Sequence, residues 1–395
     1  MKTKFIPLIL TASVCFGLLT GCQSSELSSY TEDKAKESSV PATSDNTQTV
    51  KDYTPAYESY DPDEVMLTVN GIEVTWGELF YWYVYDVSTV ENYFGEITDW
   101  DAQCGFDPNK TNRDYVIGNA LDTVKHYCAV ESKARDMGVA LTDEDKETLK
   151  TNWDNNVQSY GNGDEAAFIE YLKKAYLSKE MYDHINEVSL LYDRMLDNMF
   201  GANGEKISEK DVLEKGSEMG YVRVKHILIS SMDENNEKLS DDKLTEKKAS
   251  AENLLKELKG ISDKAALEKR LDEMISEYGN DPGTEFFKDG YTFIPGSGTM
   301  NADFENAVTK LGDYELSEIV ETNFGYHIIL RLPLSSSAVI DSNNKTLSYY
   351  AAQDMFSAET EDWADESSVK FAKAYEKMDI EAVFNRAKTE PAENK

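Results

Sequence analysis

Histidine and cysteine are scarce in this chain, with four of each among 395 residues, and none has the Cys/His ligand spacing of a structural zinc site. The expectation is therefore no metal and no cofactor. Positive charge is also short: 40 Lys and Arg stand against 74 Asp and Glu, for a net charge of −34. So acidic a surface repels phosphate, which argues against nucleic acid as a partner and leaves weak attraction to anionic lipid headgroups. Acidic partners are disfavoured, whereas basic or cation-coated ones are tolerated. Long apolar runs are missing too, apart from one between Phe5 and Leu19 that is too short and wrongly flanked for an ordinary membrane span.

That run belongs to a secretory signal. Lys2 and Lys4 form a positive start, the apolar stretch follows, and Leu19-Thr20-Gly21-Cys22 closes it with small residues before a cysteine. The closing tetrapeptide resembles the lipobox of bacterial lipoproteins. The resemblance implies that residues 1–21 are removed and that Cys22 carries a diacylglyceryl group, holding the protein to the extracytoplasmic face of the cell membrane. Two acyl chains meet the requirement for stable anchoring. Processing would also remove Cys15, leaving Cys104 and Cys128 in one helical region. A single disulfide and a buried pair of small apolar side chains both fit these two.

Residues 22–60 are rich in Ser, Thr, Asp, Glu, Lys and Pro and read as a disordered tether. Folding is expected from residue 61. Met66-Leu67-Thr68-Val69, Asn70-Gly71 and Ile72-Glu73-Val74 read as a strand, turn and strand. Thr75 with Glu78 opens a helix bearing Trp76, Phe80, Tyr81, Trp82, Tyr83 and Tyr85, an aromatic band read as core in preference to a groove for unfolded chains. Residues 113–200 are helical by periodicity, with Gly138 as a stop, Thr142 and Asp145 as a start, and one long helix from about 165 to 200. His126 and His184 lie in these helices without matched partners and read as surface or packing histidines.

The pattern changes at residue 221. Tyr221 to Ser230 alternates as a strand, with Val222, Val224, His226 and Leu228 on one face. Helices follow over about 244–259 and 264–278, then a Gly/Pro-rich stretch over 279–298, a short helix over 301–310, and strands near 317–320 and 327–332. This order describes a compact α+β unit over 221–332. Residues 335–390 return to helical character without a core of their own and are expected to pack on the 61–218 lobe.

Four separated pieces of this unit resemble the parvulin family of peptidyl-prolyl isomerases. They are Val224-Lys225-His226-Ile227-Leu228-Ile229, Tyr278-Gly279-Asn280-Asp281, Gly298-Thr299-Met300 with Asp303-Phe304-Glu305, and Thr322-Asn323-Phe324-Gly325-Tyr326-His327-Ile328-Ile329. The flanking Thr68–Val74 segment resembles the opening of PrsA- and SurA-type foldases. The fold class so implied is α+β. A helical chaperone-like lobe, made by the N- and C-terminal segments together, would carry an inserted parvulin-like domain with a small, mostly antiparallel sheet. The resemblance implies catalytic roles for His226, Asp281 and His327 and a substrate cup of Met300, Phe304 and Phe293, with Thr322 beside it. Read singly, each histidine is also compatible with a core side chain satisfied by a backbone carbonyl, and Asp281-Pro282-Gly283 is itself a turn sequence.

The family departs here in places. Lys288-Asp289-Gly290-Tyr291-Thr292 stands where a Gly-Gly-Asp-Leu-Gly segment is common, the loop from Phe293 to Met300 is longer, and Phe324 occupies a position often small or polar. The loop after the first strand is acidic, which disfavours phosphate-directed specificity. The reading is a peptidyl-prolyl cis-trans isomerase and folding chaperone acting on unfolded or partly folded exported proteins with X-Pro bonds. A homodimer through the helical lobe is left open. The alternative is a weakly active or inactive parvulin-like chaperone that only binds clients. A solute-binding lipoprotein fits the anchor but lacks repeated βα units.

Overall fold

The computed structural model describes residues 49–391; the signal segment, Cys22 and the tether as far as residue 48 lie outside the described residues. The end of the expected tether is corrected. Residues 49–60 include a strand, β1 (Thr49–Asp52), and a short helix, α1 (Thr54–Tyr57). The reason is a set of apolar anchors: Tyr53 and Ala56 are buried, and Tyr57 and Tyr60 pack against the same core. Strands β2 (Val65–Val69) and β3 (Ile72–Thr75) then form the expected hairpin, with Asn70 and Gly71 both at positive φ, 52° and 83°.

Helix α2 (Trp76–Phe94) begins where the Thr75 side chain accepts from the Glu78 amide, and its Trp76, Phe80, Tyr81 and Tyr83 are core side chains. Capping boxes at Thr111/Asp114 and Thr142/Asp145 open α3 (Asn112–Met137) and α4 (Asp143–Tyr160). Gly138 ends α3 in the left-handed region, φ 68°. Cys104 and Cys128 are both buried and both free thiols.

The single long helix expected from 165 to 200 is two helices, α5 (Glu165–Lys174) and α6 (Lys179–Phe200). Periodicity does not reveal the break because tertiary packing makes it. Tyr176 adopts φ 59°, its hydroxyl accepts from the Tyr53 amide at 2.9 Å, and its ring meets those of Tyr53, Tyr57 and Phe80. Ser178 Oγ then caps the new start by accepting from the Met181 amide at 3.1 Å. Arg194 of α6 grips Asp145, the α4 cap-box residue, through two guanidinium nitrogens at 2.7–3.1 Å.

After α7 (Glu209–Glu218) come β4 (Val222–Ser230), α8 (Asp241–Lys259), α9 (Lys264–Tyr278), β5 (Tyr291–Phe293), α10 (Ala302–Val308), β6 (Val320–Thr322) and β7 (Gly325–Leu332). Strand β5 lies inside the stretch read as a Gly/Pro-rich loop, and the strand read at 317–320 falls at 320–322. The chain closes with α11 (Leu347–Asp365), β8 (Val369–Phe371), α12 (Lys373–Lys377), α13 (Ile380–Phe384) and β9 (Lys388–Pro391).

These elements form two compact units: residues up to Met195 together with those from Ser357 on, and Leu196–Phe356. In the first, β1 pairs antiparallel with β9, and β8 joins the hairpin in the order β3-β2-β8. Phe384 of α13 stacks on Phe80 at 5.7 Å, so the C-terminal segment fills the same core as α2. In the second, an antiparallel sheet runs β5-β4-β7-β6. Ile227, Ile229, Ile328 and Leu330 face α8 and α9, while Val224, Tyr291, Phe293, Phe304 and Ile329 pack on the other side. The limits therefore differ from those read in sequence. Helix α7, counted with the helical lobe, belongs with the sheet: its Val212 packs with Tyr221, Leu347 and Ala351, the last two beyond the expected end at 332.

This extra packing predicts a stability difference. A fragment of residues 196–356 should melt cooperatively. A 221–332 fragment loses the fully buried Val212, Leu347 and Ala351 and should melt roughly 5 °C or more lower by differential scanning calorimetry. Equal melting temperatures would mean that the flanking helices contribute nothing.

Candidate active site

Strand register builds the site. In the β4–β7 pair His226 lies opposite Ile329 and His327 opposite Leu228. The two histidines are therefore diagonal neighbours on one face, close enough to touch. Their rings lie 5.3 Å apart at 28°, and Nδ1 meets Nδ1 at 3.2 Å. Gly325 makes the tight entry to β7 possible: its φ is 142°, and a Cβ there would come within 2.2 Å of the Ile229 carbonyl oxygen.

Asp281 reaches this pair from the loop after α9. Asn280 fixes that loop to the end of β4, donating its amide to the Leu228 carbonyl and accepting from the Ser230 amide through Oδ1. Asp281 is also the turn-former that its sequence suggests, since Oδ1 accepts from the Gly283 amide at 3.1 Å and Pro282 opens a 3₁₀ turn. Its other oxygen accepts from His226 Nε2 at 2.9 Å and from the Tyr291 hydroxyl. At the far end, Thr322 Oγ1 lies 2.8 Å from His327 Nε2 and itself accepts from the Phe324 amide.

The charge on Asp281 fixes the donors at one end of this row. Burial opposes a charged Asp281, but the bonds from His226 and Tyr291 hold its carboxyl down at about 2. As an ionised carboxylate it only accepts, so His226 donates from Nε2. The two imidazoles share the Nδ1–Nδ1 contact, and His327 Nε2 meets the Thr322 hydroxyl. Burial first, and the neighbouring His226 second, push His327 down to about 4, so it is neutral near pH 7. Burial and the Asp281 charge push the Tyr291 hydroxyl well up, so it remains a donor.

Phe304, on the first turn of α10, presents its ring edge-on to both imidazoles, at 5.1 Å from His226 and 5.4 Å from His327. Phe293 buttresses Phe304 at 6.3 Å instead of meeting the histidines, and both phenylalanines are buried. Met300 is half-buried against the same cluster. Thus Met300, Phe304, Phe293 and Thr322 are brought together with His226, Asp281 and His327; Cys22 lies outside the described residues. A cleft of about 600 Å³ opens beside Asp281, lined among others by His226, Tyr291, Lys225, Asp272 and Phe287. Lys225 is buried on the opposite face of β4 and ion-paired with Glu268 and Asp272 of α9.

Sequence reasoning missed two residues. Tyr291 bonds Asp281 and lies 5.4 Å from His226, and it sat in a segment read as loop. Glu305 is buried and accepts from the amides of Gly296 and Met300 at 2.6 and 2.9 Å, fixing the longer loop in front of α10. A Phe-Glu pair four residues after a Gly-rich loop was the available sign. The remaining histidines lie in the helical unit: His126 Nδ1 donates to the Asp122 carbonyl, and His184 pairs with Glu131 at 3.1 Å.

Residues 209–331 match the family described as the PPIC-type PPIase domain. The particular relatives are foldases. Foldase protein PrsA of Staphylococcus aureus (strain Newman) is 30% identical over 170 residues, covering 41% of this chain and 49% of that protein. The chain thus spans about half the length of the curated relatives it matches. Among solved structures, PrsA from Bacillus subtilis aligns at 19% identity with a TM-score of 0.23, over 78% of this chain and 92% of its own. PrsA from Bacillus cereus aligns at 17% and 0.27, over 73% and 97%. Scores this low add nothing to the assignment.

The neutral His327 predicts a pH dependence of stability. Its pKa falls from 6.5 to about 4 on folding, so the unfolded chain binds more protons between those values. Its contribution is full above pH 6.5 and is lost as pH falls towards 4, by an amount on the order of 3 kcal/mol. Urea titrations at pH 7 and 4.5 should show this loss, reduced in His327→Gln. An unchanged dependence in that variant would assign it to other groups.

Proposed function

We propose that this protein is a peptidyl-prolyl cis-trans isomerase and folding chaperone, held by a lipid on Cys22 at the extracytoplasmic face of the cell membrane. Its clients are unfolded or partly folded exported chains containing X-Pro bonds. The observation that carries the reading is the continuous row Thr322–His327–His226–Asp281–Tyr291 against the Phe304 ring, within a PPIC-type domain. No helix among the described residues is long and apolar enough to cross a membrane, and the lipobox-like Leu19-Thr20-Gly21-Cys22 is what supports attachment by acyl chains.

Rotation about the X-Pro bond breaks amide resonance, against a barrier of about 18–20 kcal/mol, and makes no new covalent bond. The site must therefore favour the twisted amide over both planar isomers. An apolar wall of Met300 and Phe304 would exclude the water that stabilises the polar planar form. His226 and His327, held by polar neighbours at both ring nitrogens, give polar groups that do not need to reorganise as the amide twists. Asp281 and Tyr291 act through His226 as positioning residues.

A proline-peptide isomerisation assay tests this. Phe304→Ala should lower kcat/KM by about tenfold or more, because a ring contributes more apolar contact than the thioether removed in Met300→Ala. Circular dichroism must first show that the variant is folded, since Phe304 is buried. Asp281→Asn keeps an acceptor for Gly283 and removes the charge facing His226, so it should reduce activity while preserving the turn. Wild-type protein without isomerase activity that still prevents client aggregation would establish the binding-only alternative.

Anchoring has its own test. Cys22→Ser should appear in the soluble fraction or retain residues 1–21. A variant that is processed normally and remains firmly membrane-bound would rule out the lipid on Cys22.

A further inference from the structure

We propose that the ring cluster Tyr93, Phe94 and Phe106 is a docking surface for an extended client segment in which an aromatic or aliphatic residue is flanked by Lys or Arg. This rests on the reading that the helical unit binds unfolded chains. The three rings are 61%, 54% and 40% exposed, whereas the aromatics of the rest of α2 are mostly core. They form one contiguous patch: Phe94 meets Phe106 edge-on at 4.7 Å, and Tyr93 meets Phe106 at 5.4 Å. Exposed apolar clusters of this kind mark interaction sites far more often than scattered single side chains do.

The patch is held in place from beneath. Phe106 stacks on the buried Tyr115 at 5.7 Å. Phe94 lies flat over Gly105, where a Cβ would come within 2.5 Å of its ring. Rings fixed before binding lose little rotamer entropy on contact.

Charge selects the occupant. Between residues 91 and 115 the chain carries Glu91, Glu96, Asp99, Asp101, Asp107 and Asp114. The same span holds only two cations, Lys110 and Arg113, and Arg113 is paired with Asp101, Asp379 and Glu381, as Lys51 is with Glu91 and Glu96. An apolar residue between cations therefore gains both ring contact and Coulomb attraction. The protein's own residues 22–48 fit poorly, with Glu26, Glu32, Asp33, Glu37 and Asp45 against Lys34 and Lys36. A second copy would bring the same acidic surface against itself.

The test uses the chain from residue 22 and two labelled, unstructured peptides, one of Lys-Phe-Ser repeats and one with Glu in place of Lys. Fluorescence anisotropy should show binding of the Lys peptide that weakens as salt rises, with much weaker binding of the Glu peptide. The triple variant Tyr93→Ser, Phe94→Ser, Phe106→Ser should bind the Lys peptide about tenfold or more weakly, with isomerisation of a short proline peptide unchanged. Equal binding by the triple variant, or equal binding of both peptides, overturns the proposal. So does a wild-type dimer in sedimentation that becomes monomeric in the variant, since the patch would then be a self-interface. A wild type that isomerises but binds neither peptide overturns the docking surface alone. One that binds as described but does not isomerise overturns the enzyme reading alone.

Discussion

The β4–β7 register is the constraint on which the domain matching the PPIC-type family depends. Side chains alternate along a strand, so sliding one of these strands by a single residue would send its histidine to the face covered by α8 and α9. Apolar matching prevents the slip. Ile227, Ile229, Ile328 and Leu330 all face the helices, and a one-residue slip of either strand would turn its pair away from them as well as its histidine. The hydrophobic core of one face thus aligns the polar chemistry of the other.

Burial and neighbours on both sides then hold the polar row in place. The Asp281 carboxylate anchors one end, and each imidazole meets a polar partner through both ring nitrogens. Tyr291 and the Gly283 amide supply two further donors to the carboxylate. Such an array has little freedom to rearrange, which is what stabilisation of a fleeting twisted amide requires.

Much of this was legible in the sequence because local chemistry spoke directly. The Asn70-Gly71 turn, the Thr75 and Thr142 starts, the Gly138 stop and the alternation of Val222 to Ser230 all act within a few residues. What escaped depends on distant partners. Tyr176 takes a left-handed conformation because Tyr53, Tyr57 and Phe80 surround it, and residues 49–52 form a strand because 388–391 lie alongside. Strand β5 is only three residues long and exists through pairing with β4. The candidate site was read almost entirely from resemblance, since neither His226 nor His327 has a local sign of its partner about a hundred residues away. Tyr291 escaped for the same reason.

The pairing of β1 with β9 has a bearing on the order in which the chain can acquire its structure. A polypeptide emerging from its N-terminus has every residue of Leu196–Phe356 available before the last strand appears. The sheet that carries the histidines can therefore complete itself early. The helical unit cannot, because Ile380, Val383 and Phe384 complete its core and Lys388–Pro391 close its edge. Its surfaces stay open until the final residues arrive, so for that interval the protein is itself an unfinished chain of the type it is proposed to assist.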